Sequence, residues 1–468
     1  MSVLGLQQVT ERVDTACVDA AGGTSLGIDD SEAPEETARM VHSGPRVRAE
    51  GDAVAVSDVA GAQVVTETMP DLRSVAVGFW VGSGAVDEGE HQLGASHFLE
   101  HLLFKGTDQR SAVDIAHAVE SVGGDMNAFT TQEYTAFYVR MPDEYLGLAL
   151  DILADVVWHP AFRVDEVESE RRVILEEIGM RDDTPDDVVH ELANAALYPG
   201  HPLGRSVLGT RASITGMSRE TIAEYHRTHY HPSNVVIAAA GNLAHDEVVA
   251  RVGSRAPQTG GDRPARVHAE LRAPLEVTGE RRDTEQAHLV LSVRSVARDD
   301  PDRWALSVVN QLLGGGMSSR LFQEIRERRG LAYSVYSYRA AYQRTGSFSV
   351  YAGTAPDRIA ETRQVIRAEL DRLVADGVSE PELAAAKGHL KGSTTLALET
   401  SSSRMHRLGR SLLTQQEVPS VDAMVAEVEA VTVDDLRRVI DRVFATDEQV
   451  LSVVGPLQAA DLLVDVAV

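Results

Sequence analysis

A single cysteine, Cys17, stands in 468 residues. No intramolecular disulfide can form, and the chain suits a reducing compartment. Basic residues are also scarce: 44 Lys and Arg face 71 Asp and Glu, for a formal charge of −27. That charge repels a polyanion, which argues against nucleic acid as a partner and leaves cationic peptides open. No apolar run approaches the roughly 20 residues of a membrane span. The first residues, Met1-Ser-Val-Leu-Gly-Leu-Gln-Gln8, lack the basic and then apolar stretches of a secretory signal. These absences predict a cytoplasmic protein with no membrane partner. Gly314-Gly315-Gly316 precedes a predicted helix, but the Gly-Lys-Ser/Thr ending of a phosphate loop is missing, so an ATP- or phosphate-handling enzyme is disfavoured.

What is present is ordinary globular material, 43% hydrophobic and 25% charged, long enough for more than one domain. Residues 1–45 are rich in Gly, Ala and acids and predict a mobile leader. Short β-type runs follow at Ala53–Val56, Ala62–Thr66 and Ser74–Val81. Helices are predicted over Ala112–Val122, Glu144–Trp158, Val164–Met180 and Ser218–Tyr230, with strands at Asp125–Thr131, Tyr134–Met141 and Val235–Ala240. Residues 256–270 look like a linker between an N-terminal domain (46–255) and a C-terminal one (271–468).

The second part echoes the first. Val235-Val-Ile-Ala-Ala-Ala-Gly241 recurs as Val450-Leu-Ser-Val-Val-Gly455, Val75–Val81 as Leu289–Val293, and the strand, Pro-Asp and helix of Tyr138–Leu150 as Ser349–Ile366. Two similar domains in tandem are therefore expected.

The chemistry concentrates in His97-Phe-Leu-Glu100-His101, inside a proline-free run from Gly94 to Gly106 that reads as a helix. At ~100° per residue the two histidines share a face, and Glu100 flanks it. Hydrolytic zinc takes three protein ligands of the His/His/Glu sort and keeps a position for water, with a nearby carboxylate to take the proton. The H-x-x-E-H order is a known zinc-peptidase motif; alone, it also fits an amphipathic helix with two ordinary histidines. The repeat supplies a control. Aligning Leu102-Leu103 with Leu312-Leu313 puts Ser307, Asn310 and Gln311 where the first copy has His97, Glu100 and His101, so packing does not demand the latter. Farther on, Glu170-Arg-Arg-Val-Ile-Leu-Glu-Glu177 places Glu170 and Glu177 two turns apart on one helix face. Carboxylates on a packed face call for a cation; Glu168 and Glu176 suit a solvated face better.

Together these segments resemble the pitrilysin and insulinase clan of zinc peptidases, and most closely its short, processing-peptidase-like (beta-subunit-like) branch, over roughly residues 50 to 460. The resemblance implies an α+β fold of two tandem homologous domains, each a mainly antiparallel sheet packed with helices, facing each other around a cavity. It implies one Zn²⁺ per chain on His97, His101 and Glu177, with Glu100 as general base and Glu170 supporting the histidines from outside. It also implies that Asn127, Ala128 and Phe129 form an edge strand that pairs with an extended substrate, the Asn127 amide holding a substrate carbonyl near the metal. By sequence alone, a turn leading into a plain strand fits that segment equally well. Arg326 and Tyr333, seven apart, match an arginine and a tyrosine that reach the zinc site from the other domain to contact the substrate. Without the resemblance they read as a surface helix residue and a core strand residue. The remaining histidines, among them His117 and His190, have no comparable spacing and are read as structural. The expected function is zinc-dependent hydrolysis of unfolded or extended peptides by a homodimer or a heterodimer with a paralogue. The alternative is a non-catalytic peptide-binding partner subunit of such a heterodimer.

Overall fold

Strands that are apolar along their whole length rather than alternating belong in the middle of a sheet covered on both faces. Ser74-Val-Ala-Val-Gly-Phe-Trp-Val81 and Val235-Val-Ile-Ala-Ala-Ala-Gly241 are of this kind, and both are buried nearly end to end. In the computed structural model, which describes residues 54–257, 263–266, 268–446 and 448–457, they pair at the centre of the first of two sheets. The expected leader lies outside the described residues, as do parts of the expected linker.

The first sheet contains β1 (Val54–Val59), β2 (Ala62–Thr68), β3 (Ser74–Val81), β4 (Asp125–Thr130), β5 (Thr135–Pro142) and β6 (Val235–Gly241), in the order β1-β2-β6-β3-β5-β4. The second contains β7 (Val277–Arg281), β8 (Ala287–Ser295), β9 (Ala332–Ala341), β10 (Gly346–Thr354) and β11 (Gln449–Gly455), in the order β7-β11-β8-β10-β9. In each, one parallel pair, β2 with β6 and β7 with β11, sits in an otherwise antiparallel sheet. From β2 and β7 onward the two orders are the same, so the internal repeat is a repeat of topology. β4 and β9 close equivalent edges.

The helices repeat as well. In the first half α1 (Ala95–Leu102), α2 (Ala112–Glu120), α3 (Leu146–Trp158), α4 (Val164–Asp182) and α5 (Pro185–Leu197) carry the site and its supports. In the second, α6 (Arg303–Gly314) answers α1, and α7 (Ile359–Asp376), α8 (Glu380–Ala397) and α9 (Ser401–Gln415) answer α3, α4 and α5. The main cores lie between each sheet and its own helices.

The outer faces are covered by exchange. Met405, Leu408, Leu412 and Leu413 of α9 pack on Val65, Ala76, Trp80 and Val236 of the first sheet. Val188, Val189 and Ala193 of α5 pack on Val290, Tyr351 and Val454 of the second. Glu67 on β2 fixes α9 through ion pairs with Arg404 and Arg407, the latter at 2.7 Å. A Cβ on Gly409 would overlap the Trp80 indole, so glycine is what lets α9 approach this closely. A cavity of about 200 Å³ opens at the junction, lined by His190 and Asn194 of α5 and by Ser292, Tyr338 and Ser349 of the second sheet. Among the described residues no helix is long and apolar enough to cross a membrane.

Candidate metal centre

α1 starts after Gly94, which has φ 88°, and its first turn is capped from a distance by Glu88. The buried Glu88 carboxylate accepts the N–H groups of Gly94 (2.7 Å) and Ser96 (2.9 Å). Two orphan donors of the helix are satisfied in this way. Burial pushes the Glu88 pKa up to about 8 against the opposing pull of those donors. Phe98, Leu99 and Leu102 turn into the core, which leaves His97, Glu100 and His101 for the face towards α4 and β4.

On α4, Glu170, Ile174 and Ile178 are buried while Val173 is exposed, so the carboxylates line the packed face as the two-turn spacing predicts. Glu177 Oε2 lies 3.6 Å from His97 Nε2 and 3.4 Å from His101 Nε2. Ligand bonds of about 2.0–2.2 Å in a tetrahedron put ligand atoms about 3.3–3.6 Å apart, so these separations fit zinc. One ligand atom from each of His97, His101 and Glu177 lies within 4.8 Å of the others, the one such trio among the described residues. Among the described residues Glu177 Oε2 is buried and has no hydrogen-bond partner, as is true of His97 Nδ1. An anionic oxygen left so, facing two imidazoles, suits a cation between them.

An outer contact orients His101. Glu170 Oε2 lies 3.1 Å from His101 Nδ1, and its Oε1 accepts from Lys105 Nζ at 2.8 Å. Carboxylate support of this kind fixes the imidazole's orientation and leaves Nε2 for the metal. Lys105 escaped the sequence reading, although its place one turn after His101 was a usable signal. Burial, then the neighbouring His101, lowers the His97 pKa to about 3. Burial also acts to lower that of His101, but Glu170 and Glu177 outweigh it and hold it up at about 9. For Glu177 burial acts upward, and His101 and His97 bring the balance down. The Glu100 pKa is raised by burial, with Thr130 opposing.

Thr130 is the other neighbour that the sequence did not reveal. It ends β4, an edge strand that among the described residues pairs with β5 alone. Side chains alternate along it. Ala128 joins the core that holds α1, and Thr130 follows on the same face beside Glu100. Asn127 and Phe129 turn to the other face, where Phe129 meets Trp80, Tyr138 and His406 of α9. Asn127 Oδ1 accepts the Ala128 N–H at 2.8 Å. The strand is thus at an edge, as expected, while the Asn127 amide lies on the face away from α1 and is turned back on the strand itself.

Arg326 sits in a π-helical turn, Phe322–Arg328. Its guanidinium lies between the rings of Phe322 (4.9 Å) and Tyr333 (4.5 Å), and Nη1 donates to the Tyr333 carbonyl at 2.9 Å. Tyr333, on β9, is 77% exposed, which excludes the core-residue reading. The structure brings these two together; among the described residues, no hydrogen bond or ring contact joins them to His97, Glu100, His101 or Glu177. The silent copy on α6 is filled by hydrogen bonds instead: Ser307 Oγ donates to the Arg303 carbonyl, and Ser337 Oγ of β9 donates to Asn310. Asn310 is thus held by a serine of β9, as Glu100 has a threonine of β4 beside it.

Known proteins are similar to this chain in sequence and fold. Residues 63–211 match the family described as Insulinase (Peptidase family M16), and residues 216–390 match the Peptidase M16 inactive domain. An uncharacterized zinc protease of Streptomyces coelicolor is 44% identical over 408 residues, covering 85% of this chain and 88% of that protein. One from Mycobacterium tuberculosis is 46% identical over 391 residues (81% and 88%), and one from Bacillus subtilis 38% over 402 (85% and 96%). Among solved structures, a protease from Helicobacter pylori superposes with a TM-score of 0.82 at 23% identity, covering 88% of this chain and 100% of that one. A peptidase M16 inactive domain from Pseudomonas fluorescens gives 0.81 at 24% (86% and 98%).

Proposed function

Because the chain belongs to the insulinase family of peptidases, family M16, we propose that it is a zinc-dependent endopeptidase acting on unfolded or extended peptides. One observation carries the reading: the converging trio of His97, His101 and Glu177 with Glu100 on the adjoining helix face. Those three residues would hold one Zn²⁺ per chain. The metal, when bound, supplies Lewis acidity at the scissile carbonyl and acidifies a water.

The chain's own groups do the rest. Glu100, whose pKa burial raises, accepts the proton of the attacking water and returns it to the departing amine. Glu170, itself held by Lys105, keeps His101 oriented. The outer edge of β4, over Asn127, Ala128 and Phe129, which no other strand pairs among the described residues, offers main-chain hydrogen bonds to an extended peptide, a form of recognition that tolerates many sequences. Arg326 and Tyr333 are assigned to substrate contact from the second half, exchanging the Arg326 bond to the Tyr333 carbonyl for one to the peptide. The assembly is read as a homodimer or a heterodimer with a paralogue, of the processing-peptidase-like branch, in the cytoplasm, with no nucleic-acid partner.

A casein or mixed-peptide digest with wild type and Glu100→Gln tests this. Cleavage by the wild type alone is expected. Equal cleavage by both refutes the assigned base, and a purified wild type without stoichiometric zinc refutes the enzyme. A second reading, the non-catalytic partner subunit, is favoured by the self-engaged Arg326–Tyr333 pair. Zinc-loaded wild type that binds peptides without cutting them would establish it.

A further inference from the structure

The turn between β4 and β5, residues 131–134, is held from outside its own half. Its Glu133 is only 7% exposed. Glu133 Oε1 accepts the Gln343 N–H at 3.0 Å, from the turn that joins β9 to β10, and meets Arg266 Nη1 at 3.5 Å. Oε2 takes the guanidinium of Arg298, which also donates to the Ala341 carbonyl. Two of these donors belong to the second half and one to the segment connecting the halves. Arg266 in turn makes a two-pronged ion pair with Asp87, both contacts at 2.8 Å, and donates to the Glu133 carbonyl. Asp87 follows Gly84, where a Cβ would lie 2.5 Å from the Thr131 carbonyl. The N–H groups of Ala85 and Val86 donate to the carbonyls of Thr131 and Gln132. The turn is therefore gripped on both sides.

A buried ion pair of this kind adds little net stability over an apolar filling of the same shape. What it fixes is geometry, and the geometry here is consequential. Thr130, beside Glu100, is the residue immediately before this turn, and β4 upstream of it is the edge of the sheet. The partner turn leads back along β9, the strand that carries Tyr333.

We infer that Glu133 is a positioning residue: through it the second half and the connecting segment hold the β4–β5 turn, and the turn sets Thr130 against Glu100 and the edge of β4 against a peptide. The inference rests on the peptidase reading for its effect on rate. Glu133→Gln keeps an acceptor for Gln343 but removes the charge that binds two arginines. With zinc still stoichiometric and the temperature well below unfolding, kcat on a quenched fluorescent peptide should fall ~10- to ~100-fold, as for other small displacements of a reacting group. Backbone amides of residues 125–131 should exchange with deuterium ~10-fold faster or more, while those of α1 keep their protection. A variant with lower melting temperature but wild-type kcat and wild-type exchange in β4 would overturn the inference. Should Glu133→Gln not fold, Glu133→Asp, which keeps the charge but shortens the reach, is read by the same two measurements with the same criteria. A wild type that cuts no peptide sinks the peptidase reading alone; the exchange arm then still decides whether Glu133 holds β4.

Discussion

Glu100 and His101 are adjacent in sequence and have opposite tasks in the proposed reaction, which the substitutions separate. Glu100→Gln keeps the shape and the metal but removes the base, so zinc stoichiometry should be unchanged while peptide hydrolysis falls ~10²–10⁴-fold. Retained activity would show that the base lies elsewhere. At His101, Glu170 and Glu177 overcome burial and raise the pKa from 6.5 to about 9. A group raised on folding stabilises fully below its unfolded pKa, so this contribution to the metal-free protein is complete below 6.5 and is lost as pH rises through about 9. Zinc competes with the same proton. Its apparent affinity should climb about tenfold per pH unit from about pH 6 and level near the folded pKa. Chelator competition across that range measures this, and a flat profile would mean that His101 is already neutral. Glu170→Gln keeps a hydrogen bond to the imidazole but loses the charge shared with Lys105, and should weaken zinc ~10- to ~100-fold in the same titration.

Elements differ in how far the chain announces them. β3 and β6 were legible because a strand buried on both faces needs an uninterrupted apolar run, and α1 because its histidines obey helical spacing. Glu177 was legible as a carboxylate on a packed face. Thr130 and Lys105 were not, since each matters only through a neighbour brought up by the fold. The exchanged helices were hidden for a similar reason: their apolar stripes show that they pack, and nothing local says on which half. Gly409 on α9 tests the exchange with a sign that propensity alone gets wrong. In an exposed helix, Gly→Ala gains about 1 kcal/mol. Here the added methyl must displace the Trp80 indole, a strain of about 1–3 kcal/mol, so Gly409→Ala should lower stability in urea unfolding. A stabilised variant would place α9 off the first sheet.

For the whole molecule, the exchange decides what counts as a folding unit. The repeat in the sequence suggests two domains that resemble each other and could be cut apart at residues 256–270. The packing argues otherwise, because each sheet takes its outer cover from the other half. Without α9, Trp80, Val65, Ala76 and Val236 would face water, and Glu67 on the same face would lose Arg404 and Arg407. Uncovering that apolar face costs about 25 cal/mol for each Å². That loss weighs against a margin of only about 5–15 kcal/mol. Residues 1–257 expressed alone should therefore aggregate or stay partly unfolded, and so should residues 263–468. The two expressed together should associate into a soluble complex that binds one zinc, with its ligands all in the first fragment. Gel filtration with metal analysis measures this. A first fragment that is monomeric, folded and zinc-loaded on its own would show that the halves merely abut, and that the exchange of α5 and α9 is dispensable to the metal centre.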